Sequence, residues 1–266
     1  MKTVTAFAVA AFVLSCIASP LNANGNYERK LIIGGDVVPR NTKTYTTGLR
    51  ATIDGNSFCS GSLISPTHVL TASHCLVYDI RWATIGSHFR NGTQDGEQIR
   101  VISIMTHPNY SENVQYSDDF MVVELARPST FTPVKLAAAD DSDFEAGKWA
   151  TAMGWGTFSE GGDDYAYELQ RVDVQLASDE ACANYETVDF SMVCAGGVMG
   201  KDSCGGDSGG PLILDGGNST EDVLIGGVSW AKDDTCAREG YYGIYSRVSS
   251  ARAWIDSITA GNGTCL

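Results

Sequence analysis

Positive charge is scarce in this 266-residue chain: 18 Lys+Arg stand against 32 Asp+Glu, a formal net charge of −14. Leaving out Lys2, Arg29, Lys30 and Glu28 gives 15 against 31 from Ile32 onward, about −16 for that part. A surface of that sign repels phosphate backbones and anionic lipid, so neither nucleic acid nor a membrane is expected as a partner. Histidine is scarce too, with four residues, and no cysteine pair shows zinc-type spacing with a matching histidine pair. No metal and no cofactor is therefore expected. After the N-terminal stretch no apolar run is long enough to cross a bilayer as a helix.

The composition favours turns and short strands, with 29 glycines and scattered aromatics. Lys2, an apolar run from Val4 to Ala18 and then small residues read as a secretory signal over 1–23, cleaved within 18–23. A secreted, extracellular protein is expected, in a compartment where disulfides persist. Residues 24–31 are polar and too few to fold alone, as in a short propeptide. Strand patterns follow at Thr44–Ile53, Ser57–Ile64 and His68–Thr71, broken by Asp54-Gly55-Asn56 and Ser65-Pro66. Further strands are expected at Ile99–Ile104, Lys148–Trp155, Tyr167–Leu176, Met192–Ala195, Pro211–Leu214 and Val223–Trp230. The acidic stretch Ala137–Gly147 reads as a linker between two β halves, about 32–136 and 137–258. One helix is expected, Ser249 to Ile258, capped by Ser249 or Ser250, with Ala251, Trp254, Ile255 and Ile258 on one face. Sequons stand at Asn91, Asn109, Asn218 and Asn262.

Chemistry concentrates in Gly200-Lys201-Asp202-Ser203-Cys204-Gly205-Gly206-Asp207-Ser208-Gly209-Gly210-Pro211. Glycines around Ser208 let backbone approach a substrate, and N–H groups at Gly206 and Ser208 can converge on a developing oxyanion. A serine needs a base and a group that orients the base. His74 stands in Leu70-Thr71-Ala72-Ser73-His74-Cys75; His68, His88 and His107 have no such setting. Asp119 leads into the apolar run Phe120-Met121-Val122-Val123. These segments resemble the trypsin-like serine peptidases, and the order His, Asp, Ser is theirs.

That resemblance implies an all-β fold of two antiparallel six-stranded β-barrels with a C-terminal helix, spanning 32–266. It implies a catalytic triad of His74, Asp119 and Ser208 and an oxyanion hole at Gly206 and Ser208. Asp202 would stand at the base of a pocket formed with Ser229, Trp230, Ala231 and Gly243, selecting protein or peptide substrates at Lys or Arg. Ala231 replaces a usual glycine, and Trp230 to Cys236 looks about two residues longer than in trypsin. Ser87 stands where trypsin supplies a carboxylate to calcium. The implied disulfides are Cys59–Cys75, Cys182–Cys194 and Cys204–Cys236. Cys265 is then left over, and Cys16 falls in the signal. The stretches SLISPTHVLTASHC and DGEQIRV also resemble the oomycete secreted trypsin-like branch. That branch includes glucanase inhibitor proteins, which bind plant endo-β-1,3-glucanases and have generally lost triad residues; here His74, Asp119 and Ser208 all stand. Two functions follow: a secreted Lys/Arg-directed endopeptidase, or an inhibitor of a host glucanase.

Ile32-Ile33-Gly34-Gly35 resembles the mature N-terminus of the peptidases, whose new ammonium pairs with a carboxylate, here Asp207. Leu31, rather than a basic residue, precedes it. Cleavage after Lys30 would displace the amine by about 3.3–3.6 Å, beyond hydrogen-bond tolerance. Protein beginning at Ile32 is therefore expected to turn over a Lys peptide, and protein beginning at Leu31 to be nearly inactive. Equal rates from both would remove the ammonium switch.

Overall fold

The computed structural model describes residues 33–184 and 187–260. The expected signal and propeptide, together with Ile32, Asn262 and Cys265, lie outside the described residues. Six strands form the first half: β2 (Thr46–Arg50), β3 (Cys59–Ser65), β4 (His68–Thr71), β5 (Trp82–Ile85), β6 (Glu97–Thr106) and β7 (Met121–Leu125). They pair antiparallel in the order β2-β3-β4-β7-β6-β5 and close when β5 returns to β2. The apolar run of β7 is buried except at Glu124, and Leu49, Leu63, Val69, Ile85 and Ile99 join it inside. The turns read from Asp54-Gly55-Asn56 and Ser65-Pro66 lie where β2 gives way to β3 and β3 to β4.

The second half departs from a plain six-stranded barrel. It is one eight-stranded sheet of β1 (Asp36–Val37), β8 (Lys135–Leu136), β9 (Trp149–Gly154), β10 (Gln170–Gln175), β11 (Met192–Gly196), β12 (Pro211–Leu214), β13 (Val223–Ala231) and β14 (Tyr242–Arg247). The path runs β1-β10-β9-β12-β13-β14-β11, with β8 parallel to β13. β10 and β11 meet only at the isolated pair Leu176–Ala195, reinforced by Ala177 N–H donating to Cys194 O at 2.9 Å. The ring is thus closed by a single residue pair. β1, which begins the described chain, has crossed from the first half to pair with β10.

The C-terminal helix, α2 (Val248–Thr259), buries Ala251 and Ile255 as the spacing predicts, with Trp254 and Ile258 half-buried beside them. Its expected serine cap is not used. Arg247 is the N-cap, Ser249 Oγ hydrogen-bonds Asp141 Oδ1, and Ser250 Oγ donates to Arg247 O at 2.7 Å. A four-residue helix, α1 (Asp179–Cys182), capped by Ser178, was not legible from periodicity because one turn carries none.

A buried polar cluster ties the halves together. Lys43 Nζ, before β2, donates to both carboxylate oxygens of Asp222 at 2.8 Å and to Asp215 Oδ1 at 2.7 Å. Tyr45 donates to Asp222 Oδ2 at 2.7 Å, and Gly216 N–H to Oδ1 at 3.0 Å. Asp222 is fully buried, so its charge is tolerated only because each oxygen has donors. Burial and the Asp222 charge push the Tyr45 phenol far up, and hydrogen bonding to Lys43 holds Asp215 well below the usual carboxylate range against the cost of its partial burial. Asp222→Ala leaves the buried Lys43 ammonium with Asp215 alone and strips Tyr45 and Gly216 N–H of their acceptor, and is expected to cost about 2–4 kcal/mol in urea unfolding. A loss below about 1 kcal/mol would show that the cluster does not hold the halves.

Candidate active site

The site is built around Asp119, which is 1 % exposed. It lies just before β7, where the chain leaves the left-handed Asp118 (φ 48°). His74 follows it in space because Cys75, bonded to Cys59 of β3, pins the 3-10 turn Ser73–Val77. His74 N–H donates to Asp119 Oδ1 at 2.9 Å and His74 Nδ1 to Oδ2 at 2.7 Å. From the second half, Ser229 Oγ donates to Oδ2 at 2.6 Å and Ser246 Oγ to the Asp119 carbonyl at 3.0 Å. Three donors on one carboxylate fix the ring so that Nδ1 carries its proton toward Asp119, leaving Nε2 as the acceptor. Sequence reasoning placed Ser229 only in the pocket and missed both hydroxyls. A serine within a strand gives no local signal of a partner about a hundred residues away.

Ser208 is brought alongside from the second half. Its carbonyl accepts from Ser60 N–H of β3 at 2.7 Å, and Gly209 N–H donates to Val228 O at 2.8 Å. Gly209 (φ 75°) must be glycine, since a Cβ would stand 2.5 Å from Ser60 O. Neither the Ser208 hydroxyl nor His74 Nε2 makes a hydrogen bond among the described residues, so the third link of the expected triad is open. Such links are often long in unliganded sites and tighten on binding. The N–H groups of Gly206 (φ 95°) and Ser208 likewise donate to no acceptor among the described residues, as an oxyanion hole requires. Tyr116 stands edge-on to His74, with ring centroids 6.1 Å apart, and stacks on Trp230 at 6.2 Å.

Asp207, fully buried, accepts from Gly156 N–H at 2.8 Å and Cys204 N–H at 2.9 Å. Both Gly154 and Gly156 face it so closely that a Cβ on either would collide with the carboxylate. Burial raises its pKa to about 6. Ile33 O accepts from Asp202 N–H at 3.3 Å, so the chain enters the described region beside this segment.

A cavity of about 170 Å³ opens next to Ser208, lined by Ser229, Trp230, Ala231, Asp234 and Gly243 among others. Asp202, 1 % exposed, lies against its Gly243 wall: a Cβ there would be 2.9 Å from Asp202 Oδ1. Oδ2 accepts from Ala237 N–H at 3.1 Å, while Oδ1 has no partner among the described residues. The disulfide Cys204–Cys236 joins the nucleophile segment to the pocket loop, and Cys182–Cys194 clips α1 to β11. A larger cavity, about 440 Å³, is lined in part by Arg247 at the end of β14. There Arg247 is saturated by Asp141, Asp179 and Met192 O.

The remaining histidines have structural partners: His68 with Ser65 Oγ, His88 with Glu168, His107 against Trp254. Where trypsin's calcium loop would lie, Ser87 Oγ reaches Asp95 Oδ1 at 2.7 Å and His88 N–H donates to Asp95 Oδ2 at 3.0 Å. The one metal-like cluster among the described residues, Cys59, His74 and Cys75, has its sulfurs committed to a disulfide. Of the sequons, Asn109 and Asn218 are exposed and Asn91 is half-buried.

Comparison with known proteins places these features in context. The trypsin family model matches residues 32–255. Glucanase inhibitor protein 3 of Phytophthora infestans is 48 % identical over 264 residues, covering 98 % of this chain and all of the relative. Glucanase inhibitor protein 2 of the same organism is 45 % identical over 94 % of this chain and 99 % of its own length. A trypsin of Saccharopolyspora erythraea is 36 % identical over 82 % of this chain and 94 % of its own.

Burial raises the Asp202 pKa to about 7. The folded state therefore holds a proton there that the unfolded chain has released above its ordinary 3.8. By linkage, the contribution of Asp202 to stability is greatest below about pH 4 and falls as pH rises toward 7, by up to about 4 kcal/mol for a three-unit window. Asp202→Asn, whose amide fits the same place without charge, is expected to lessen the fall in melting temperature between pH 4 and 7, leaving the share that Asp207 adds below about pH 6. An unchanged slope would move the buried proton elsewhere.

Proposed function

The chain belongs to the trypsin family, and from that premise we propose that it is secreted and engages a partner protein at the cleft between its halves, as an inhibitor of a glucanase. The relatives carry this reading: proteins named as glucanase inhibitors match essentially the whole chain at 48 % and 45 % identity. The surface beside the cleft supports it. Leu76, Val77 and Tyr78 extend the His74 turn outward with 52, 81 and 48 % of their surface exposed, and Ile53 is 48 % exposed. Exposed apolar residues beside a rigid, disulfide-pinned turn suit the apolar core of a protein interface.

A second reading is favoured by one observation, the double hydrogen bond between His74 and Asp119 with Ser208 alongside. On that reading the cleft cleaves peptide bonds after Lys or Arg. His74 Nε2 takes the Ser208 proton as Oγ attacks the carbonyl carbon, and Gly206 and Ser208 N–H groups hold the oxyanion. His74 then passes the proton to the departing amine, water attacks the acyl-enzyme, and the same exchange runs back. Asp119, fixed by Ser229, keeps the tautomer and stabilises the imidazolium. Asp202 attracts the cationic side chain, and the Ala231 methyl narrows the pocket in favour of Lys. The ammonium of Ile32 pairs with Asp207 and keeps it ionised, which orders the Gly205–Ser208 turn.

Two measurements on protein beginning at Ile32 separate the readings. Micromolar protein is expected to inhibit a plant endo-β-1,3-glucanase, and Ser208→Ala to inhibit equally; no inhibition at that concentration would remove the first reading. A fluorophosphonate probe is expected to label Ser208, with labelling lost in Ser208→Ala and reduced by at least about 10²-fold in His74→Ala. An unlabelled wild-type protein would remove the second.

A further inference from the structure

The pocket next to Ser208 contains a carboxylate that neither reading uses. The 3-10 turn Lys232–Asp234 ends β13, and Asp234 forms part of the pocket lining with Ser229, Ala231 and Gly243. Asp233 and Asp234 are both left-handed, with φ 55° and 52°. Thr235 fastens the turn by donating from N–H and Oγ1 to Lys232 O, at 3.1 and 2.8 Å. The lengthening of the chain between Trp230 and Cys236 is therefore ordered at the pocket, with a carboxylate at its exposed end.

Asp234 makes no hydrogen bond or ion pair among the described residues. Of the two cations nearest in the chain, Arg238 is taken by both oxygens of Glu160 and stands over Tyr241, and Lys232 Nζ also lies against the Tyr241 ring, 5.9 Å from its centroid. Two carboxyl groups of different kinds thus stand at the pocket, Asp234 in its lining and Asp202 behind its Gly243 wall. Asp202 is 1 % exposed, with Oδ1 unpartnered against the Gly243 wall, and Asp234 is exposed at the mouth. A buried oxygen without a donor calls for a cation that leaves water to reach it. An exposed one attracts a second cation that stays hydrated.

We propose that Asp234 is a specificity residue for paired basic side chains: one Lys or Arg enters to Asp202 while a neighbouring Lys or Arg of the same segment stays at the rim against Asp234. The inference rests on the reading of Asp202 as the base of a pocket for a basic side chain. It holds whether the segment belongs to a cleaved substrate or to a bound, uncleaved partner.

The test uses the full mature chain carrying Ser208→Ala, so that binding is read without turnover. Fluorescent hexapeptides contain either one Lys or one Lys with a second basic residue moved through the flanking positions. At least one paired peptide is expected to bind about three- to fivefold more tightly than the single-Lys peptide, the range of an exposed ion pair, with the advantage shrinking at high salt. Asp234→Asn keeps a side chain that tolerates left-handed backbone, and is expected to abolish the advantage. Asp202→Asn is expected to weaken both peptide classes together. An advantage that survives Asp234→Asn, or paired peptides that bind no better than the single one, would overturn the role of Asp234. Failure of every Lys peptide to bind would overturn the pocket reading and this inference with it. Absence of hydrolysis by the wild-type protein, with binding intact, would overturn only the peptidase reading.

Discussion

One buried carboxylate holds this architecture in register. Asp119 receives two hydrogen bonds from His74 on the first half and one from Ser229 on the second, and its carbonyl takes another from Ser246. A charge at 1 % exposure is stable only with such saturation, so the two halves cannot shift relative to each other without stranding it. The Lys43–Asp222 cluster repeats the logic elsewhere on the same seam. The cleft is rigid because polar groups from both sides are obliged to meet.

The nucleophile segment depends on a second constraint, close approach. Gly154 and Gly156 admit the Asp207 carboxylate, and Gly209 admits the Ser60 carbonyl, at separations no side chain would allow. The glycine-rich composition is thus a packing requirement at these positions as well as a source of turns.

Much of this was legible in the chain. Strand β12 matches its expected bounds, and β7 and β13 follow from apolar runs bounded by turn signals. The three disulfides implied by family resemblance are present. What the sequence hid is of two kinds. Strands β1 and β8 have two residues each, too short for any alternation to register, and they exist only because a distant strand offers free edge groups. The Ser229 and Ser246 contacts are long-range, and a hydroxyl's partner is decided by tertiary packing. The helix cap failed for the same reason: Ser249 Oγ donates to the distant Asp141 carboxylate instead of accepting from the first backbone N–H groups of the helix.

The single pair that closes the second sheet, Leu176 with Ala195, has an evolutionary consequence. Between Ala177 and Ser191 the chain leaves the sheet and forms α1, and among the described residues no strand ladder fixes how many residues that excursion uses. Insertions and deletions there leave every other strand pairing intact, whereas a change of length within β9 would disturb two ladders and one within β13 up to three. The Cys182–Cys194 bond sets the inner limit of that freedom by tethering the excursion near its return. Descendants of this scaffold can therefore reshape that edge of the molecule in large steps while the cleft stays unchanged.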